Sequence, residues 1–460
     1  MLRDAEYFCI CACSVFVLYL FHMEFPRSGK LIAHVDMNSY FASVEQQANP
    51  FLRGRALGVC SYLHEYGCVI AASVEAKKLG MKVGMTVKDA RASVPGAVFV
   101  QNDPPKYRAV TSRVFTLLHT LSDHIEHYSI DEAFLDLTGW YRDAAEASFA
   151  LSRIKKRITE EVGEWLRCSV GIAPTRFLAK TASDLKKPDG LTIIDFDNLD
   201  DALSRLDLED VCGIGPRIRK RIERLGYRNL IQLKYAPTEN LIRAFGVYGY
   251  FLKAKLHGLD VDHVEQDNHK LPKSVGHSYC VPERVNREKK VPATLVKLVE
   301  RAGRRMRSLG LLANAISVSV GLKLEGGPKP QGPFWTPSAD AGGSVHAGFP
   351  EPTDDSFALT EMTLKLLHEL WSGERVNFLA VTLFDLSLPN GQTSLDLRVH
   401  GLREAMTPER RSAVSKAVDL IRDRYGMQAV MLGNMMRLED EAPDRIGFRK
   451  TEGVDVVRNL

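Results

Sequence analysis

The stretch YSIDEAFLDLTG, residues 128–139, places two adjacent carboxylates, Asp131 and Glu132, between two short apolar runs. Residues 125–129 and 133–138 are typical of strands, so the stretch predicts a β-hairpin with both acids at its turn. Two charges of the same sign this close disfavour joint ionisation unless a cation lies between them. The alternative is an ordinary solvated Asp-Glu turn, because turns favour Asp.

Length and composition indicate a multidomain protein. The chain has 460 residues, 45% hydrophobic and 26% charged, with a formal net charge of +4. This length is too great for one core and predicts three or four domains. Because the net charge is small, a nucleic acid would have to bind local basic patches. The eight cysteines show no CxxC spacing, which argues against a zinc knuckle or a disulfide framework and favours a reducing cytoplasm.

The N-terminal stretch FCICACSVFVLYLF, residues 8–21, is apolar but shorter than the roughly 20 residues of a membrane-spanning helix. We expect an over-extended reading frame, with Met23 as the natural start, and no membrane association. A real anchor is the alternative. Residues 1–30 are therefore assigned to an N-terminal extension.

The predicted elements between residues 31 and 196 follow the split β-α-β-β-α-β order of a ferredoxin-like fold. They are a strand at 31–36, a helix from Ser39, a helix at 106–122, the hairpin, a helix at 149–166, and strands at 168–173 and 191–195. In this order strands 1 and 3 lie side by side at the centre of the sheet. Asp36, which ends the first strand, is therefore expected beside Asp131 and Glu132.

Three carboxylates at one sheet edge form a candidate two-metal site. Such sites clamp the attacking and leaving oxygens of an in-line displacement. Carboxylates without His or Cys suit Mg²⁺ or Mn²⁺ better than zinc. The alternatives are three unrelated surface acids or one structural Ca²⁺.

Residues 197–262 predict a small helical unit. Within it, VCGIGPRIRKRIERLG (211–226) contains a Gly-Ile-Gly turn followed by an Arg-rich helix. Glycines let backbone amides approach a phosphate closely. Candidate DNA contacts are Gly213, Gly215, Arg217, Arg219 and Lys220; a plain αα turn before a solvated basic helix is the alternative.

The remainder predicts a linker (263–273), a mixed α/β domain (274–437) and a polar tail (438–460). The mixed domain contains strands at 274–281, 314–324 and 376–387, helices at 294–309, 356–371 and 407–425, and a Gly/Pro-rich loop at 325–352. Arg301, Arg304 and Arg305 on the basic helix are candidate phosphate contacts. A solvated charged face would show the same pattern.

Five blocks occur in an order that resembles the successive motifs of the Y-family, or translesion, DNA polymerases. They are HVDMNSYFASVE (34–45), GCVIAASVEAKKLGMKVGM (67–85), YSIDEAFLDLTG, SVGIAPTRFLAKTASDLKKPDG (169–190) and VCGIG (211–215). The resemblance covers residues 31–260 strongly and continues more weakly to about 437.

The resemblance implies an α+β multidomain polymerase with four named domains. These are a ferredoxin-like palm (31–39 and 107–196), small fingers (40–106), a helix-hairpin-helix thumb (197–262) and an α/β little finger (274–437). Its implied activity is error-prone, template-directed DNA synthesis in DNA repair and damage tolerance, by two-metal nucleotidyl transfer. A catalytically weak scaffold subunit of a mutagenesis complex is the alternative, and a nuclease or nucleotide cyclase on the same palm order is a further rival.

Residue roles follow from the same resemblance. Asp36, Asp131 and Glu132 would be catalytic and, with the Met37 carbonyl, would bind two Mg²⁺ ions, for which Mn²⁺ could substitute. Phe41, five residues after Asp36, matches the steric gate against the sugar 2′-hydroxyl, although an aromatic at a helix start is usually core. The implied nucleotide-binding residues are Tyr40, Phe41, Lys77 and Lys187.

One block departs from the family pattern. Many members have YEAR where this chain has VEAKK, so Val74 and Lys77 replace a Tyr and an Arg that contact the triphosphate. Lys keeps the charge but loses the bidentate fork. This variant resembles the polymerase V catalytic subunit, whereas the gate and the C-terminal half are more similar to the polymerase IV branch.

The implied partners are primer-template DNA and deoxynucleoside triphosphates, with a sliding clamp and a recombinase filament as further candidates. Gln392, Leu395 and Leu397 resemble the short peptide by which bacterial polymerases bind the clamp. An alternating strand would read the same. A monomeric, cytoplasmic, nucleoid-associated bacterial protein is expected.

Overall fold

The computed structural model describes residues 28–265, 271–287, 289–322, 342–389, 408–426, 428–431, 433–435 and 442. Met23 and the predicted clamp peptide with Gln392, Leu395 and Leu397 lie outside the described residues, as does most of the tail. The described residues fall into two compact units, 28–53 with 104–265, and 54–103 with the described residues from 271 onward.

The strands of the described residues are short in the first 200 residues and longer toward the C-terminus. In chain order they are β1 Ile32–Met37, β2 Leu57–Cys60, β3 Val69–Ala72, β4 Val98–Gln101, β5 Ile125–Glu126, β6 Glu132–Asp136, β7 Cys168–Ala173, β8 Leu191–Ile193, β9 Ser274–Cys280, β10 Leu312–Leu322, β11 Gly342–Thr353 and β12 Val376–Ser387.

The helices that the structure describes are interspersed among these strands, and five of them follow one another between β8 and β9. They are α1 Tyr40–Ala48, α2 Val74–Lys78, α3 Val87–Ser93, α4 Pro104–Leu118, α5 Ala144–Arg157, α6 Arg176–Leu185, α7 Leu199–Ser204, α8 Pro216–Arg224, α9 Leu230–Lys234, α10 Thr238–Phe245, α11 Val247–Leu256, α12 Glu283–Arg287, α13 Val291–Ser308, α14 Ser356–Leu370 and α15 Pro408–Tyr425.

The central sheet of the first unit has the predicted arrangement. Its order is β5-β6-β1-β7-β8, with β1 at the centre and antiparallel to both β6 and β7. The predicted neighbours, the first strand and the second strand of the hairpin, are therefore confirmed as partners. All six residues of β7 are buried, as expected for a strand covered on both faces.

Helix α6 lies unusually close to β7 because of Gly171. A Cβ built on Gly171 would lie 2.0 Å from the Ala179 carbonyl oxygen and 2.3 Å from the Ser183 nitrogen. Only glycine allows this approach. Phe177, Leu178 and the neighbouring alanines of α6 then join a core that includes Ile32 of β1 and Phe134 of β6.

The helical run after β8 packs on the same core. Leu199, Leu208, Ile222 and Leu252 are buried in it, and the boundaries of the helical unit predicted at 197–262 stay a prediction. Each helix is too short to be stable alone, so tertiary packing holds the run together.

The second unit contains two separate sheets. The first has the order β3-β2-β4, and its core includes Val69, Met81 and Val87. The second has the order β11-β10-β12-β9 and packs its apolar residues against α13 and α14.

Two predicted boundaries were wrong. Residues 342–352 belong to strand β11 rather than to a loop; β11 is an edge strand, and an edge strand tolerates the two prolines within it. The helix predicted at 149–166 begins at Ala144, capped by Asp143, and ends in a π-helical turn, Ile158–Val162. Helix α2 is short and ends at Lys78, before Gly80 with a φ of 97°.

No helix among the described residues is both long enough and apolar enough to cross a membrane.

We expect Leu135→Ala to destabilise the first unit strongly. Leu135 lies in β6, pairs with Ala33 and is 0% exposed, so truncation leaves a cavity costing about 2–5 kcal/mol of unfolding free energy. Urea unfolding measures the loss. Phe149→Ala on α5, where the side chain is 69% exposed, is the control and should change stability by less than about 0.5 kcal/mol. Equal midpoints for the two variants would contradict the assigned core.

Candidate active site

Strand pairing brings the three predicted carboxylates together. In the β1–β6 register Asp36 lies opposite Glu132, and the Met37 amide donates a 2.9 Å hydrogen bond to the Asp131 carbonyl oxygen. Ligand atoms of His34, Asp36 and Glu132 all lie within 4.8 Å of one another. Residues about 95 positions apart in the chain therefore share one sheet edge.

Asp131 occupies the turn that precedes β6. The Ser129 hydroxyl donates a 2.5 Å hydrogen bond to Asp131 Oδ1. Burial, followed by the negative charge of Asp36, raises the pKa of Asp131 to about 7. Among the described residues no cation pairs with its carboxylate, whereas Asp36 is paired with Lys187 and Glu132 with Lys180.

Glu132 has the opposite electrostatic environment. His34 Nε2 lies 3.0 Å from Glu132 Oε2, and Lys180 forms a salt bridge to the same oxygen. Burial alone would raise the pKa of Glu132, but the His34 hydrogen bond and the Lys180 charge together lower it to about 2. Glu132 is therefore ionised at any physiological pH.

Lys187, which the resemblance assigns to the triphosphate, lies beside Asp36. Its Nζ lies 3.0 Å from Asp36 Oδ2 and 2.7 Å from Asp184 Oδ1. Burial opposes the charge, but the two carboxylates raise the pKa of Lys187 above its ordinary value. The ammonium group is thus a permanent cation at this edge.

Phe41 and Tyr40 begin α1, directly after the turn that follows Asp36. The Phe41 ring is 8% exposed and stacks on Tyr107, with centroids 4.3 Å apart at 15°. The Tyr40 hydroxyl lies 2.7 Å from Thr111 Oγ1 and donates a 2.8 Å hydrogen bond to the Tyr107 carbonyl oxygen. Both rings are thereby fixed against α4.

Lys77 lies in the second unit, exposed on α2. Its predicted role in nucleotide binding stays a prediction.

Sequence reasoning missed three polar residues beneath the carboxylates. His34 and Lys180 hold Glu132, and Asn38 accepts a 2.6 Å hydrogen bond from the Asp189 amide while its own amide donates to Ser169 Oγ. The period of two along β1 places His34 on the same face as Asp36. The sequence did contain a pattern that points to Lys180. It lies four residues before Asp184 and seven before Lys187, a spacing typical of one helix face.

The glycine turn has the geometry expected of a hairpin between helices. Gly213 has a φ of 101°, and Gly215 is the N-cap of α8 without a side-chain cap. The Tyr248 hydroxyl donates a 2.6 Å hydrogen bond to the Gly213 carbonyl oxygen. Gly213, Gly215, Arg217, Arg219 and Lys220 are all exposed, while Ile214 anchors the turn in the core.

The basic residues of α13 have partners within the second unit. Arg304 forms a salt bridge with Asp423, and Arg301 donates to the Ala442 carbonyl oxygen. Arg307, on the same helix, lies 2.6 Å from Asp419 Oδ2. Arg301, Arg304 and Arg305 are each partly buried, so their predicted role in binding phosphates stays a prediction.

The donor set fits a hard divalent cation. Asp36, Asp131 and Glu132 offer only oxygen ligands, which suit Mg²⁺ and Mn²⁺. The pKa of Asp131 is raised by burial and by the nearby charge of Asp36, and a bound cation would offset both effects. His34 completes the geometric cluster, but both of its ring nitrogens have partners within the protein.

Two segments match one protein family. Residues 35–184 match the impB/mucB/samB family, and residues 272–397 match the C-terminal domain of the same family. The first match includes all three carboxylates, Phe41 and Lys180.

Similarity to DNA polymerases IV extends over most of the chain. DNA polymerase IV of Moorella thermoacetica is 32% identical over 398 residues, which are 86% of this chain and 93% of that protein. DNA polymerase IV of Bacteroides fragilis is 34% identical over 289 residues, 63% of this chain and 78% of that protein.

Solved structures agree with these relatives. A chimera of the Y-family DNA polymerases Dbh and Dpo4 has a TM-score of 0.63 and 26% identity, covering 78% of this chain and 100% of that one. An insertion ternary complex of Dbh DNA polymerase has the same identity and coverage, with a TM-score of 0.51.

We expect Asp131→Asn to stabilise the metal-free protein in a pH-dependent way. The raised folded-state pKa means that this group favours folding fully below its ordinary value of 3.8, and that the contribution is lost as pH rises through about 7. The amide removes the buried charge, so the gain in melting temperature should be largest above pH 7 and shrink toward pH 4. Thermal melts in EDTA from pH 4 to 8 measure it.

Asp197→Asn is the matched control for this titration, because Asp197 is exposed. Its melting temperature should differ from that of the parent by the same small amount at every pH. A gain for Asp131→Asn that did not vary with pH would contradict the assigned environment of Asp131.

Proposed function

Because the chain belongs to the Y-family of translesion DNA polymerases, we propose that Asp36, Asp131 and Glu132 form its nucleotidyl-transfer site. Membership follows from the two family matches and from 32% identity across 93% of a DNA polymerase IV. The protein is thus a DNA-directed DNA polymerase of translesion synthesis and DNA repair. The observation that carries the proposed site is the β1–β6 register, which aligns Asp36 with Glu132.

Polymerases of this family depend on metal ions, and we propose Mg²⁺, with Mn²⁺ as a substitute. Asp36, Asp131 and the Met37 carbonyl would hold the ions, and Glu132 would lie toward the primer terminus. Bound there, two such ions stabilise charge on the attacking and leaving oxygens of an in-line displacement. The ionised state of Glu132 and the permanent charge of Lys187 support this assignment.

The substrate-binding roles divide between the two units. Lys187 would pair with the triphosphate of the incoming deoxynucleotide, where its charge offsets the developing phosphate charge. Phe41 would exclude a ribose 2′-hydroxyl, since stacking on Tyr107 prevents the ring from moving aside. Lys77 and Tyr40 are proposed as further nucleotide-binding residues.

The proposed domains keep the boundaries that the sequence predicts. The palm would comprise 31–39 and 107–196, the fingers 40–106, the thumb 197–262 and the little finger 274–437.

Primer-template DNA would contact the Gly213–Gly215 turn with Arg217, Arg219 and Lys220, and also Arg301, Arg304 and Arg305. A sliding clamp, bound by Gln392, Leu395 and Leu397, and a recombinase filament are proposed partners of a monomer in the bacterial cytoplasm, associated with the nucleoid.

The scaffold alternative is not favoured. It predicts loss of metal-binding carboxylates, whereas all three are present and two of them face each other across paired strands. The similarity to DNA polymerase IV over most of the chain points the same way.

We expect primer extension by the full chain on an undamaged template with Mg²⁺, and none by Asp131→Ala. Phe41→Ala should gain ribonucleotide incorporation, because it removes the ring opposite the sugar. Gel analysis with each nucleotide type measures both effects, and Phe149→Ala is the exposed aromatic control. Extension by Asp131→Ala at the parent rate would overturn the proposed site, and unchanged ribonucleotide exclusion by Phe41→Ala would overturn the gate.

We expect Gly215→Ala to weaken DNA binding without affecting folding. A Cβ on Gly215 meets nothing within 4 Å and the residue has a φ of −92°, so the fold tolerates it, while a methyl group would obstruct a phosphate at the α8 amides. Loss of one such hydrogen bond corresponds to about 0.5–1.5 kcal/mol, measured by fluorescence anisotropy with labelled primer-template. Gly29→Ala, which has equally open surroundings, should bind as the parent does, and equal affinity of all three proteins would contradict this role.

A further inference from the structure

The Glu132 carboxylate is held by one of its two oxygens. His34 Nε2, at 3.0 Å, and the Lys180 ammonium both contact Oε2. Neither contact uses Oε1. A carboxylate fixed in this way has a defined rotation about its last side-chain bond, and its second oxygen remains available to a ligand.

His34 is itself fixed on every side. It is 0% exposed, its Nδ1 lies 2.8 Å from Ser183 Oγ, and its ring packs on Phe134 with centroids 4.4 Å apart. The ionised carboxylate of Glu132 can only accept, so Nε2 carries a hydrogen. In the neutral imidazole Nδ1 is then an acceptor, and it faces the Ser183 hydroxyl, which also lies 2.8 Å from the Lys180 carbonyl oxygen.

The fold supplies both holding groups from rigid elements. His34 lies two residues before Asp36 on the central strand β1, where it faces Phe134 of β6. Lys180 and Ser183 lie one turn apart on α6, and Gly171 holds that helix close to the sheet. A shift of α6 would therefore move both partners of Glu132 together.

The Lys180 and His34 contacts have different effects on the Glu132 carboxylate. Lys180 is a point charge on a flexible stem and neutralises Glu132 without strongly fixing its direction. The His34 imidazole is planar, buried and hydrogen-bonded at both nitrogens, so it fixes the orientation of the Glu132 carboxylate. Partners of this kind around a ligating group commonly change metal affinity or activity by about 10–100-fold when removed.

We propose that His34, fixed by Ser183 and assisted by Lys180, is a positioning residue that orients Glu132 Oε1 toward the metal ions and the primer terminus. His34 does not ligate the metal, because both of its nitrogens are engaged in holding other groups. This inference rests on the proposed function of Glu132 and adds to it the residues that make Glu132 effective.

The test compares His34→Leu with His34→Gln in the full chain. Leucine removes the donor, whereas the glutamine side-chain amide can still donate to Glu132. We expect His34→Leu to lower Mn²⁺ affinity, measured by electron paramagnetic resonance, and kcat for single-nucleotide insertion, each about 10-fold. The KM for the nucleotide should stay near the parent value, and His34→Gln should recover most of the loss.

A double-mutant cycle with Glu132→Gln separates positioning from a general structural role. If His34 acts through Glu132, His34→Leu causes no further loss of Mn²⁺ affinity once Glu132 is Gln. The same loss in both backgrounds would overturn the proposal, as would equal Mn²⁺ affinity of His34→Leu and the parent. Failure of His34→Gln to recover affinity, with an unchanged melting temperature, would overturn it as well.

Two further measurements identify the source of any failure. His257→Leu removes a partly buried histidine of the helical run, whose Nε2 contacts the Lys234 carbonyl oxygen, and should leave Mn²⁺ affinity unchanged. Asp131→Ala tests the site itself. If Asp131→Ala abolishes extension while the His34 cycle shows no coupling, the proposed function stands and only the positioning role falls.

Discussion

The antiparallel pairing of β1 with β6 and β7 is the constraint on which the rest of the first unit depends. One strand supplies Asp36 and His34, its neighbour on one side supplies Glu132, and its neighbour on the other side carries Gly171, against which α6 packs. Every charged group of the candidate site is placed by one of these three contacts. Since the side-chain period of a strand is two, a slip of one residue in β1 would turn Asp36 and His34 to the opposite face together.

The electrostatics of the site divide its three acids into different states. Glu132 has two protein partners and a lowered pKa, Asp36 is paired with Lys187, and Asp131 has a raised pKa and only a neutral hydroxyl at its oxygen. Environments that separate the pKa values of neighbouring carboxyl groups commonly mark different chemical roles. Asp131 is the acid whose ionisation a divalent cation would change most.

The sheet and its acidic residues could be predicted from the sequence, but the polar residues that hold those acids in place could not. The order of strands and helices predicted the ferredoxin-like sheet, and the acidic pair at residues 131–132 indicated its edge. By contrast, His34 and Lys180 matter through contacts between β1, β6 and α6, which no local pattern specifies. Strand β11 was missed because its glycines and prolines are typical of a loop, and only its place at a sheet edge makes them acceptable.

The central position of β1 also has a consequence for biosynthesis. A ribosome makes β1 first, yet its partners β6 and β7 follow only about 95 and 130 residues later. Until then an apolar segment with unpaired backbone groups has no native neighbours, and such long-range pairing is slow to form. Partly made chains of this topology therefore expose β1 to pairing with other chains until β6 and β7 have been synthesised.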